Sequence, residues 1–261
     1  MKMRSGQILI LVLLVVVVAL AVGLSVASRN ITNLRTSTQT EQSQRAFSTA
    51  EGGVEDVLSR LTTIASTYPV GQTGGADIPP INVGNLQAQV NVKAVSTYQQ
   101  VIDEGNVGQI DLAGATGVIQ IEWAINSDTS EITPASIEVT QVSGPSGGPY
   151  SQVRTAWAGV SGRTNESGFA SPNCSSSSFS RCAQIPLSAS PLLLRIRPFW
   201  NKATVRVTSI GGSLPVQTYN LTSTANTPLG ITRKVQVTRT AKSQLPAVFD
   251  YVLFSEGDIN K

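Results

Sequence analysis

Histidine is absent from the chain. That removes the commonest general base, the commonest transition-metal ligand and every Ser-His-Asp or Cys-His arrangement. No Gly-x-x-x-x-Gly-Lys and no Gly-x-Gly-x-x-Gly occurs, so no phosphate-cradling loop is encoded. Gly144-Pro145-Ser146-Gly147-Gly148 has the spacing of a nucleophile elbow. It sits in a Pro-Gly run without the required strand and helix, and nothing could activate its serine, so it reads as a turn. Asp103-Glu104-Gly105-Asn106, with Asp111 nearby, gathers hard oxygen ligands but lacks the loop spacing that six to eight calcium contacts need. It reads as a solvated turn. Enzyme, cofactor and metal centre are therefore not expected. Charged residues make up only 13% of the chain, and a net charge of +3 spread over 261 residues is weak evidence for an anionic partner.

Proline is also missing, from Met1 as far as Tyr68. What fills that stretch organises the chain. Gln7 to Ser28 carries no charge, and from Ile8 to Val26 it is almost unbroken Ile, Leu and Val. At roughly −0.3 to −0.6 kcal/mol for each such residue, the run favours membrane insertion by several kcal/mol. About 20 apolar residues are what a helix needs to cross the hydrocarbon core. The Val15–Val18 run would make a mediocre helix in water. In lipid the helix is forced, because an unpaired backbone amide there costs several kcal/mol. Farther on, Phe47, Ala50, Val54, Leu58 (or Val57) and Leu61 step by three or four, the helical period. Tyr68-Pro69 and Gly71 stop it. One helix over 7–67 is predicted, about 90 Å long at 1.5 Å per residue. Residues 7–28 would span a membrane and 45–67 would be amphipathic. Arg29 to Glu41 would be its solvated middle or its least stable part, and Gly52-Gly53 either a local weakness or point of close packing, or a hinge.

Three readings of the apolar run are open: an anchored helix cut near its start, a plain signal anchor, and a signal peptide cleaved after Ala21 or Ala27. Basic residues do not orient it, since Arg29 and Arg35 balance Lys2 and Arg4. The first reading rests on a resemblance. A short basic leader (1–6, with Lys2 and Arg4) ends in Gly6, the apolar helix starts at Gln7, and Arg45-Ala46-Phe47-Ser48-Thr49-Ala50-Glu51-Gly52-Gly53-Val54-Glu55 follows some forty residues on. This N-terminal stretch of about 60 residues resembles type IV pilin-like proteins, most of all the PilX-type minor pilins and pseudopilins with their AFxAAExA segment. The resemblance implies prepilin-peptidase cleavage between Gly6 and Gln7. It implies a single-pass anchor in the cytoplasmic membrane with the head outside. It also implies assembly with other pilins through the helix, on positions such as Ile8, Leu11, Leu14, Val18 and Val22. Pilins usually begin the mature chain with Phe and carry Glu at its fifth position. Gln7 and Leu11 stand there in this chain, which argues against a major filament subunit and for a tip or initiation role. The remaining residues match no family by eye.

After a Gly- and Pro-rich linker (68–80) the periodicity changes to two. Leu86–Val92, Val107–Leu112, Gly117–Ile125, Ala135–Val142, Tyr150–Val160, Leu192–Arg197, Ala203–Ile210, Val216–Leu221, Gly230–Thr238 and Phe249–Phe254 read as short strands. Ile119, Ile121 and Trp123 are expected inward, and Trp157 as an anchor. The fold class is α+β: a long helix and a mostly antiparallel, sandwich-like β head over 81–261. Ser161–Ser190 is read as a long loop pinned by Cys174 and Cys182, the only two cysteines. An even pair in an exported chain forms one disulfide, and so short a loop contributes about 2.5 kcal/mol in the chain-entropy model. Arg195, Arg197, Lys202 and Arg206 beside Phe199 and Trp200 form a candidate patch for DNA. An unidentified surface ligand is the alternative for a membrane-anchored binding module.

Overall fold

The computed structural model describes residues 5–245 apart from 72, 146 and 164–167; of Ser5 to Leu9 and of Arg163 it describes the backbone alone. Helix α1 runs from Ser5 to Ser59 and α2 from Leu61 to Thr67. The helix expected to be continuous to Thr67 is thus interrupted at Arg60. There the backbone tightens: the Arg60 amide donates to Val57 O (3.3 Å), three residues back, and the Ser59 hydroxyl donates to Asp56 O (2.7 Å). The Arg60 guanidinium closes back on the Asp56 carboxylate. The polar middle of α1 stays helical. Hydroxyls of Thr32, Thr36, Thr38 and Thr40 donate to carbonyls four residues earlier, at 2.9–3.0 Å, satisfying themselves within the helix.

The chain divides into two compact units. The first holds α1 and the start of α2 up to Ile64, together with Asp77–Val90 and Thr222–Gln236. These β segments belong to β1 (Ala76–Val83), β2 (Leu86–Val95), β11 (Thr218–Asn226) and β12 (Thr232–Thr240), hydrogen-bonded in the order β1-β2-β11-β12. The linker expected over 68–80 therefore ends in a strand from Ala76. Proline is tolerated in β1 because it is an edge strand: one of the adjacent Pro79 and Pro80 faces the open side, where no amide need donate. Ala46, Thr49, Ala50, Val54, Val57, Leu61 and Ile64 form the buried stripe of the helical segment. Of the expected packing residues, Ala50, Val54 and Leu61 lie on it, Leu58 is half-buried, and Phe47 is 45% exposed. Each residue turns the helix by about 100°, so burying Ala46 carries Phe47 off the face. The stripe selects small residues over the large aromatic.

The second unit comprises Ala65–Ala76, Asn91–Leu221 and the described residues from Val237. It contains β3 (Tyr98–Ile102), β4 (Gly108–Asp111), β5 (Val118–Ile125), β6 (Ser136–Ser143), β7 (Ser151–Trp157), β8 (Phe179–Pro186), β9 (Pro191–Phe199) and β10 (Ala203–Ile210). Two four-stranded sheets result, β3-β10-β5-β8 and β4-β9-β6-β7, with antiparallel pairing throughout. Tyr98, Ile119, Ile121, Trp123 and Val205 from one sheet share a single core with Ile110, Ile137, Trp157, Leu194 and Ile196 from the other. Period-two strands with one apolar face make this sandwich (Ile119, Ile121 and Trp123 are fully buried). The indole N–H of Trp123 donates to Ala135 O at 2.9 Å, so its burial leaves no polar atom unpaired.

Two expectations about this unit need correction. The loop expected over 161–190 contains β8, which pairs with β5 from Pro186↔Val118 to Phe179↔Ile125. Strand β3 was not foreseen either, because Tyr98-Gln99-Gln100-Val101-Ile102 does not alternate. The Cys174–Cys182 disulfide is formed, with Cα atoms 5.0 Å apart, and it ties the approach to β8 onto β8 itself. The strand expected at Phe249–Phe254 lies outside the described residues.

Candidate functional site

Two regions carry features that a folded core does not explain. The first is the front of α1. Leu11, Leu14, Val18 and Val22 are all more than half exposed, as is every large apolar side chain from Ile10 to Val26. No charge interrupts them, so water would meet a continuous apolar cylinder. Among the described residues this is the one helix long and apolar enough to cross a membrane. Gly6, Gln7 and Ile8 continue its backbone toward the N-terminus.

Behind that cylinder the helix meets its own β segments through glycine. A Cβ added at Gly53 would lie 2.5 Å from Ala88 Cβ and 2.9 Å from Ser223 Oγ. At Gly52 it would meet Val83 Cγ1 at 3.0 Å. Of the readings of Gly52-Gly53 as a local weakness, close packing or a hinge, close packing describes Gly53, and α1 runs unbroken through both glycines. Nearby, the Arg233 guanidinium donates to Ser43 Oγ (2.7 Å), fixing the helical segment to β12 by an exposed hydrogen bond.

The second region is one end of the sandwich, where the β3–β4 turn, the β5–β6 loop, the segment after β7 and the β9–β10 turn converge. Here the four expected DNA contacts fall apart as a patch. Arg195 is 3% exposed and donates to Gln109 Oε1 at 2.9 Å. Arg206 is committed to Glu122 (Nε to Oε2, 2.6 Å) and lies 4.6 Å over the Phe179 ring. Lys202 is bound to Asp128 (2.9 Å). Arg197 lies 5.2 Å over the Phe199 ring. Arg195 and Arg197 lie on a strand of one sheet and Arg206 on a strand of the other, and carboxylates from distant elements pair with Arg206 and Lys202.

Electrostatics at these pairs follow from the contacts. The Asp128 carboxyl is pulled down to about 2, first by the Ser130 hydroxyl and then by Lys202. Lys202 is raised, chiefly by its bond to Asp128, with Glu131 and Asp103 adding weaker attraction. Burial opposes ionisation of Glu122, but hydrogen bonds from Arg206, Ser176 and Gln120 outweigh it and the carboxyl lies below its ordinary value. Burial pushes the Tyr98 phenol up to about 12.

An aromatic cluster also reaches the surface at this end. Phe169, Phe199 and Trp200 form a trio with ring centroids 6.1, 5.5 and 5.7 Å apart. Trp200 is 47% exposed and sits at φ +66°, the left-handed region that a bulky residue rarely adopts. Its amide donates to Glu104 Oε1 at 3.2 Å. Asn201 Nδ2 clamps the neighbouring loop through Ser130 O and Thr133 O, both at 3.0 Å. That loop is anchored from beneath by buried Glu131, whose carboxylate accepts from the Ile125 amide and from both the amide and the hydroxyl of Thr204. It holds Ile132 out in solvent, 85% exposed. Phe169 and Ile132 carried no signal in the sequence, since each is distant from Trp200 along the chain.

No family model, curated protein or solved structure matches this chain.

Proposed function

We infer that the chain is a minor pilin or pseudopilin, a structural subunit of a type IV pilus or a secretion-like filament. One observation carries the reading: a single helix whose uncharged apolar front is bare from Ile10 to Val26 and whose rear packs on β strands. A bare apolar cylinder needs lipid or other helices around it. A subunit that passes from membrane to filament uses both. The Gly6-Gln7 junction and the Ala46-to-Val54 segment resemble pilin-like proteins and give the reading its class. Leu11, where the family's usual glutamate would stand, favours a tip or initiation position. Prepilin peptidase and the other pilins are the implied partners. The head would lie outside the cytoplasmic membrane, where the Cys174–Cys182 disulfide would persist.

The mature N-terminus tests this. Intact mass of the membrane-extracted protein, from cells with and without prepilin peptidase, should show a peptidase-dependent start at Gln7. An uncut Met1, or a start after Ala21 or Ala27, would overturn it. The second reading, a membrane-anchored binding module that never enters a filament, draws on the exposed aromatic end of the sandwich.

A further inference from the structure

We propose that the Phe169–Phe199–Trp200 cluster is a binding platform for a neutral carbohydrate, with the Trp200 ring as the stacking surface and Glu104 as a rim acceptor. The exposure is built rather than incidental. Trp200 holds a left-handed backbone that an unstrained turn would give to glycine or asparagine. Phe169 and Phe199 brace the ring from its protein side, at centroid distances of 5.5 and 5.7 Å. The Glu104 bond to the Trp200 amide fixes the turn. Three elements distant in sequence thus converge to hold one aromatic ring into water, at the loop end of a rigid sandwich where ligand sites are commonly carried.

The rim chooses the ligand class. Lys202 is paired with Asp128 and further attracted by Glu131 and Asp103, Arg197 lies over the Phe199 ring, and Glu104 is exposed. Phosphate polymers need uncompensated cations for affinity, and among the described residues Lys202 at this rim is already neutralised by Asp128. A sugar ring needs none. Its axial C–H bonds are weakly positive and meet the negative face of an aromatic ring. Its hydroxyls need acceptors at the edge. Glu104 is exposed and accepts the Trp200 amide through Oε1, which leaves Oε2 for a hydroxyl. Ile132, 85% exposed on the loop that Asn201 clamps, adds apolar surface at the same end of the sandwich.

The platform carries its own reporter. Trp200 is the exposed one of three tryptophans; Trp123 and Trp157 are buried. The experiment uses the full chain in a zwitterionic detergent without a sugar headgroup. Neutral oligomers (maltohexaose, chitohexaose and a β-galactan hexamer) and a twenty-nucleotide thymidine strand are titrated by tryptophan fluorescence and calorimetry. The proposal expects at least one neutral oligomer to bind, with a blue shift of the exposed tryptophan and little change between low and high salt. Trp200→Ala should abolish the shift and weaken binding about tenfold or more. Trp200→Phe should restore part of the affinity, and Glu104→Gln should weaken it while leaving the melting midpoint in place. No binding by any neutral oligomer would overturn the proposal. So would binding that a folded Trp200→Ala variant retains, or salt-sensitive binding of the thymidine strand alone. None of these outcomes bears on the mature N-terminus, so this platform and the pilin reading stand or fall separately.

Discussion

Gly53 lies so close to Ala88 that a Cβ at position 53 would fall 2.5 Å from Ala88 Cβ. Two opposing effects meet at this position. Alanine would gain about 1 kcal/mol of helix propensity over glycine. Overpacking a closed contact loses about 1–3 kcal/mol. Ser223 Oγ at 2.9 Å closes the second escape direction, so packing should win. Gly53→Ala is expected to lower stability by about 1–2 kcal/mol, read as a drop in the thermal midpoint. Gly52→Ala should be near neutral, because only Val83 methyls are met, at 3.0 and 3.3 Å. Gly23→Ala, with nothing within 4 Å, is the control for propensity alone and should leave stability unchanged or raise it by up to about 1 kcal/mol. Equal effects at 52 and 53 would argue for helix propensity over packing.

The same face makes a sharper contrast one turn along. Val57 is fully buried, whereas Phe47 is 45% exposed. A carboxylate at 57 must be desolvated without a partner, which should lose roughly 3–5 kcal/mol and expose β1 and β2 to protease. Phe47→Asp should cost less than about 1 kcal/mol, because an exposed position gives the charge to water. Limited proteolysis of the two variants side by side decides it. Stronger cleavage in Phe47→Asp than in Val57→Asp would contradict the buried stripe.

Phe47 also shows what could and could not be read from the sequence. The helical period was legible, since Ala50, Val54, Val57 and Leu61 step by three or four and are buried. The phase was not, because hydrophobicity favours the aromatic while the approach to Ala88 favours alanine and glycine. The sandwich was legible through Ile119, Ile121 and Trp123, whose alternation needs nothing beyond its own strand. Strand β8 was hidden behind its serines, and its place is set by pairing with β5, far away in the chain. The basic residues were visible as residues, but their partners Glu122 and Asp128 come from other elements. Trp200 could be singled out, yet only folding brings Phe169 and Glu104 to it. Local periodicity survives without tertiary information; phase, pairing and charge compensation do not.

The disulfide gives a prediction of modest size. Cys174 and Cys182 are eight residues apart, so their bond removes little loop entropy from the unfolded chain. Cys182 is fully buried on β8, and its replacement also loses packing. The Cys174→Ala/Cys182→Ala double variant should lose about 2–3 kcal/mol. Reduction of the wild-type protein should lower the midpoint similarly, and reduction of the double variant should do nothing. A midpoint indifferent to reductant in the wild type would show that the loop is held without the bond.

The Glu122–Arg206 pair links stability to pH. Glu122 is 3% exposed and sits 2.6 Å from Arg206 Nε, on neighbouring strands in register. Its folded carboxyl lies below the ordinary value despite burial, because Arg206, Ser176 and Gln120 favour the charged form. The sign follows. Above the unfolded carboxylate range, about pH 4, both states are ionised and the pair contributes in full. As pH falls, the unfolded state takes up its proton first, so the contribution declines and is gone below the folded value. Asp128, held down to about 2 by Ser130 and Lys202, adds a loss in the same direction. The midpoint should therefore be flat from pH 7 to about 5 and decline below about 4. Glu122→Gln should remove part of that acid slope. It should also destabilise at neutral pH by about 1–3 kcal/mol, a buried-pair penalty discounted because Arg206 is partly exposed. Across a head of this size that is a fall of roughly 3–9 °C. A Glu122→Gln variant with an unchanged acid slope would place the acid sensitivity elsewhere, and Asp128→Asn would be the next substitution to measure.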